Sequence, residues 1–153
     1  MIFMKYFFVC MISVFMAATA FCQVENPVQW SFTSTKKADK VYEVVITATI
    51  AKPWHIYSQT TPDGGPQPTK IVFKANPLIV KDGDVKETGS LQTIHDQNFG
   101  VDVKYFSDKV VFTQVVKLKA GVKTHTTGEL EYMVCNDIKC LPPKKVPFDI
   151  VLQ

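Results

Sequence analysis

Two cysteines, Cys135 and Cys140, are separated by four residues in the stretch YMVCNDIKCLPP, which runs from Tyr132 to Pro143. Thiols at that spacing have three chemistries open to them: a structural disulfide, a redox pair that breaks and reforms, or half of a metal clip. As a staple the bond would be modest, because closing a loop of about six residues contributes only about 2 kcal/mol in the chain-entropy picture. Zinc would need two further ligands, and His55, His95 and His125 form no ligand pair at a recognised spacing. A copper site using Met133 with the cysteines is a third, weaker possibility. Spacing alone therefore puts the staple first, with exchange second.

The other two cysteines, Cys10 and Cys22, fall in the opening stretch MIFMKYFFVCMISVFMAATAFCQ. That stretch has one lysine, an apolar run from Tyr6 to Met16 and small residues after it, the pattern of a secretory signal peptide over residues 1–22. Cleavage is expected after Ala20 or Cys22. The apolar run falls short of the roughly 20 residues that span a bilayer, so no stable membrane insertion is expected once it is removed. What remains, residues 23–153, is expected to be one domain in an oxidising compartment with Cys135 and Cys140 as its thiols. Some 130 residues, roughly, bury a core without needing a disulfide.

The formal charge is +3; with Lys5 removed and no acidic residue lost, it becomes +2. All positive side chains are lysine and there is no arginine. Nucleic-acid surfaces cluster basic residues and use arginine forks, so scattered lysines on alternating segments read as a solvated sheet face and exclude that partner. No cofactor is expected either.

The elements that must position the cysteines are strands. From Val28 onward the segments VQWSF, KVYEVVITATI, WHIYSQ, TKIVFK, KYFSDKVVFTQVVKLK, GELEYMV and VPFDIVL show period-two patterning rich in β-branched and aromatic residues. Turn signals separate them: Lys36-Lys37-Ala38-Asp39, Pro62-Asp63-Gly64-Gly65-Pro66, Asp82-Gly83-Asp84, Ala120-Gly121 and Pro142-Pro143. No segment has a helical period. The fold class that follows is all-β, an immunoglobulin-like β-sandwich. The cysteines then fall on a hairpin tip between GELEYMVC and VPFDIVL, facing each other at about 4.5 to 5.5 Å between α-carbons. Alternation puts Trp54 and Ile56 on one face, toward the core, and His55 and Tyr57 on the other.

The stretch YMVCNDIKCLPPKKVPF resembles the active-site hairpin of the N-terminal, immunoglobulin-like periplasmic domain of the thiol:disulfide interchange protein DsbD family. The matching positions are Tyr132, Cys135, Cys140, Pro142, Pro143 and Val146. KPWHIYSQ resembles the family's aromatic strand near the redox pair, and HDQNFGVDVKYF the segment holding its cap loop, so the likeness extends from about Val28 to Val151. The resemblance implies a periplasmic electron shuttle that cycles between dithiol and disulfide. It would take electrons from a membrane or thioredoxin-like partner and pass them to periplasmic thiol proteins through transient mixed disulfides. It implies that Cys140 forms those mixed disulfides and that Cys135 resolves them.

By the same likeness a cap loop lies over the disulfide and moves aside for the right partner. Phe99, next to Gly100, is its aromatic candidate, while Asn98 takes the position where a strict match places the shielding phenylalanine. Asp96 supplies a polar contact near the sulfurs, and His55 and Tyr57 line the site. The four-residue gap is one shorter than in the best-known members. Neither the multispanning carrier nor the thioredoxin-like C-terminal domain of the family is read in this sequence, so a separate donor is expected to recharge the domain. The rival reading is a secreted immunoglobulin-like binding or adhesion module with a permanent disulfide, and reducibility of the bond separates the two.

Overall fold

The computed structural model describes residues 25–153 except residue 98. The expected signal segment, with Cys10 and Cys22, therefore lies outside the described residues, as does Asn98. Among the described residues there are eight strands: β1 (Val28–Ala38), β2 (Val41–Ile50), β3 (His55–Tyr57), β4 (Lys70–Phe73), β5 (Ile79–Asp96), β6 (Val101–Leu118), β7 (Thr124–Cys135) and β8 (Cys140–Leu152).

Strand β2 shows why the segments fold this way. In VYEVVITATI the side chains at Tyr42, Val44, Ile46, Ala48 and Ile50 all point inward and are buried, while their neighbours alternate outward. Each large apolar side chain so buried stabilises the fold by about 1.5–3 kcal/mol. Antiparallel pairing runs β1–β2–β6–β5 on one side and β8–β7–β4 on the other, with β3 bonded to both β6 and β7. The two sides pack face to face: Trp30 lies edge-on to Tyr132 at 5.1 Å and Phe32 stacks on Phe148 at 5.7 Å. The result is an all-β, immunoglobulin-like domain.

The crossover is made by β6. Its C-terminal half pairs with β2 up to Lys109, and its N-terminal half pairs with β3 from Ser107. Asp108, between them, takes a positive φ of 66°. The loop after β3 is tied down by threonines: Thr69 Oγ1 donates to the Tyr57 carbonyl at 2.6 Å and Thr61 Oγ1 to the Lys104 carbonyl at 2.7 Å. Both side chains are buried, so these bonds satisfy their hydroxyls.

Two expectations need correction. Asp82-Gly83-Asp84 is not a turn: it lies inside β5, where the register against β6 slips between Asp82 and Lys86 and Gly83 takes a φ of 71°. Strand β5 carries polar residues on both faces and is exposed along most of its length, so no alternation marked it. Pro142-Pro143 is not a turn either. It sits within β8 opposite Met133, where three steps of β8, from Lys144 to Leu141, match two of β7, from Tyr132 to Val134. That is a bulge, and a bulge accommodates residues that cannot donate to the ladder.

Candidate redox site

Strands β7 and β8 form a long hairpin whose final pair is Cys135 and Cys140. The two are joined by a disulfide, with an S–S distance of 2.02 Å and α-carbons 4.0 Å apart. The bridge holds the strand ends closer than the ladder's usual 4.5 Å or so. The tip is closed by Asn136, whose amide donates to the Lys139 carbonyl at 2.9 Å. Its Oδ1 accepts from the amides of Ile138 and Lys139 at 2.9 and 2.8 Å, a local turn that Asn is suited to make. Lys139 anchors the tip laterally, through an ion pair with Glu25 at 2.7 Å and a position 5.9 Å over the Trp54 ring.

The two sulfurs' residues sit in unlike surroundings. Cys135 is 2% exposed, packed with Tyr57 and Val103 in a small cluster separate from the main core, with Tyr105 and Met133 against it. Cys140 is exposed. One residue of the bridge is therefore open to solvent and the other is held beneath it.

An open cleft of about 380 Å³ lies over this end of the molecule. Three hairpin or strand ends converge on it. Strand β3 contributes His55 and Tyr57, the β5–β6 hairpin contributes Ile94, Asp96, Phe99 and Tyr105, and the β7–β8 tip contributes both cysteines with Asp137 and Ile138. The β5–β6 turn is a tight one: the Gly100 amide donates to the Asp96 carbonyl at 2.7 Å, and Gly100 has a φ of 69°, which favours glycine. Phe99, 44% exposed, is carried on that turn.

His55 is the cross-strand partner of Cys135 on one side and of Ser107 on the other. Directly opposed residues project to the same face with β-carbons about 4.5–5.5 Å apart, so the imidazole and the Cys135 side chain share the cleft face while Ile56 and Val134 turn into the core. The His55 ring packs 4.8 Å from Tyr105 and 5.4 Å from Tyr57, and its Nε2 is 3.3 Å from the Tyr57 hydroxyl. Burial lowers the His55 pKa, outweighing Asp137 and Asp96, which pull it upward. Tyr57 does not face solvent as its place beside His55 suggested. It is buried, and burial, then the Asp96 charge and Tyr105, push its hydroxyl up to about 12.

Sequence reasoning passed over Tyr105, Ile94 and Ile138 as site residues. Tyr105 had a readable signal, since it shares the parity of Val101 and Val103 along VDVKYF, but only the pairing Tyr57↔Tyr105 brings it to the site. Ile138 had one too, as an apolar residue between Asp137 and Lys139 in a turn. His95 and His125 lie elsewhere, each in an exposed hydrogen bond of 2.8 Å from Nδ1, with Asp102 and Asp149 respectively. Among the described residues no group of three His, Cys, Asp or Glu side chains is placed to hold a metal. Met133 packs against the cluster under the disulfide.

Fold and site together define a class: an immunoglobulin-like domain bearing a disulfide at the tip of a hairpin, under the rim of an open cleft. The chain belongs to the family described as thiol:disulfide interchange protein DsbD, N-terminal, which it matches over residues 20–151. Three solved structures share the fold. The N-terminal periplasmic domain of ScsB from Proteus mirabilis is 16% identical, with a TM-score of 0.57, and the match covers 84% of this chain but 47% of that one, about half its length. The reduced DsbD N-terminal domain of Neisseria meningitidis is 18% identical, with a TM-score of 0.51 over 78% of this chain and 82% of that one. The complex between the DsbD N-terminal and PilB N-terminal domains of the same organism gives 16% identity and a TM-score of 0.56, covering 86% and 88%. No curated protein matches the chain.

Proposed function

We propose that this domain is a periplasmic thiol–disulfide shuttle working through Cys135 and Cys140. The observation that carries the reading is the asymmetry of the bridge, with Cys135 2% exposed and Cys140 open to solvent. Exposed Cys140 offers an incoming thiolate the more accessible half of the bridge, and access decides which sulfur is attacked. A donor thiolate attacks Cys140 Sγ, the bridge breaks, and Cys135 leaves with the bond's electron pair. The donor's second thiolate then attacks its own sulfur in the mixed disulfide, leaving both cysteines reduced. In the opposite half-cycle, Cys140 attacks the disulfide of an acceptor and Cys135 resolves the mixed disulfide, so two electrons pass to the acceptor.

Family membership supports the chemistry, and one neighbour solved as a complex of two domains supports transient docking as its setting. The donor is a membrane or thioredoxin-like protein and the acceptors are periplasmic thiol proteins. Phe99, on the β5–β6 turn, serves as the cap that limits access from the cleft, with Asp96 holding the turn's base.

A Cys135→Ala variant tests the assignment. It is expected to accumulate a mixed disulfide through Cys140 with a thioredoxin-like protein, identifiable by peptide mass, whereas Cys140→Ala accumulates none. A wild-type bridge inert to thioredoxin-like donors, with a potential in the range of structural disulfides, below about −300 mV, would leave the binding-module reading in its place.

A further inference from the structure

The shuttle reading makes Cys135 a buried nucleophile, and burial disfavours the thiolate it needs. We propose that His55 is the group that holds the proton of Cys135 during exchange; this rests on the interchange reading above. The pairing His55↔Cys135 across β3 and β7 sets the two side chains on one face, within reach of each other, at the floor of the cleft that also contains Cys140. The ring is fixed there by Tyr57 and Tyr105, which pack against it and leave it few orientations. A cysteine activated by an adjacent imidazole is an established pairing for nucleophilic sulfur.

The charged and titratable groups facing the imidazole come from each surrounding element. They are Tyr57 on its own strand, Tyr105 on β6, Asp96 at the end of β5, and Asp137 and Lys139 on the β7–β8 tip. Of these, Asp137 and Asp96 favour the imidazolium, and burial opposes it more strongly. The imidazole is thus neutral near neutral pH, the form that accepts a proton, with carboxylates nearby to stabilise the cation once formed. In the resolving step the neutral ring takes the Cys135 S–H proton as that sulfur attacks Cys140 Sγ. The Cys140–partner bond breaks and the partner sulfur leaves as thiolate with the electron pair. When the bridge is opened by a donor, the same steps run backwards and the imidazolium returns its proton to the departing Cys135.

The test uses the reduced domain and Ellman's aromatic disulfide. The first release of thionitrobenzoate reports capture at Cys140, and the second reports resolution by Cys135. His55→Gln is expected to leave the first phase unchanged and to slow the second at neutral pH by about a hundredfold, the lower end of general-base effects. The deficit is expected to narrow steadily as pH rises beyond the ordinary thiol pKa of about 8.5, because the growing thiolate fraction needs no base. In unmodified protein, the His55 ring is expected to titrate at a different pH in the oxidised and reduced states, a reading that needs no variant to fold. Equal slowing at every pH, no slowing, or one ring titration common to both states overturns the role of His55 and leaves the shuttle standing. Absence of a second release from the unmodified protein overturns both.

Discussion

Phe99 and Ile138 rim one cleft from two different hairpins, the first on the β5–β6 turn and the second on the β7–β8 tip. Both are exposed, at 44% and 91%, where an apolar side chain has little to gain in an isolated domain. If Phe99 restricts access to the bridge, Phe99→Ala is expected to speed reduction by a small thiol several-fold, since access governs exchange. Because the ring is exposed, stability should change by less than about 0.5 kcal/mol. An unaltered rate of reduction by dithiothreitol would remove Phe99 from the cap role.

The β7–β8 hairpin that carries the cysteines depends on a close approach farther down. Gly128 pairs with Phe148 on one side and with Phe73 on the other, and a β-carbon added there would overlap the Phe148 ring and the Val72 carbonyl. The Phe148 ring is held in turn by Phe32 and Phe73. Gly128→Ala is expected to lower stability by about 1–3 kcal/mol, as overpacking does. Denaturant unfolding measures it, and a neutral result would show that the ring and the Val72 carbonyl both give way.

Stability is expected to fall at both ends of the pH scale for reasons located in the cleft. His55 has a folded pKa lowered from 6.5, so its contribution is complete above 6.5 and is lost as pH falls through the lower folded value, where the unfolded chain binds the proton first. Tyr57 has its pKa raised from 10.0 to about 12, so its contribution is complete below 10.0 and is lost as pH rises toward 12. Thermal midpoints recorded against pH should show His55→Gln flattening the acid limb alone and Tyr57→Phe the alkaline limb alone. Variants that shift the whole curve without changing its shape would contradict the assignment.

How much of this was legible in the sequence depended on burial. Strand β2 could be read directly because every second side chain enters the core. Strand β5 could not, since residues such as Lys81, Asp82, Lys86 and Glu87 are displayed on both of its faces and its bends are set by pairing with β6. The cysteine hairpin was legible from spacing and strand pattern. The depth difference between its two ends was not, because it depends on Tyr57 and Val103, which are distant in sequence and meet Cys135 only through the pairing of β3 with β6 and β7. The partnership of His55 with Cys135 was hidden for the same reason: local alternation gives a residue's face and not the strand it will lie beside.

The bulge at Pro142 and Pro143 sets the reading frame of the hairpin. Below it, paired positions such as Tyr132↔Lys144 follow one count, and above it Val134↔Leu141 and Cys135↔Cys140 follow another, one residue out of step. Continued without the slip, the lower count would set Cys135 against Leu141 and turn Cys140 to the opposite face, because a one-residue shift exchanges the two sides of a strand. The prolines, which take no part in the bond's chemistry, thus act as a phase corrector: by spending one extra residue they make two sulfurs coincide.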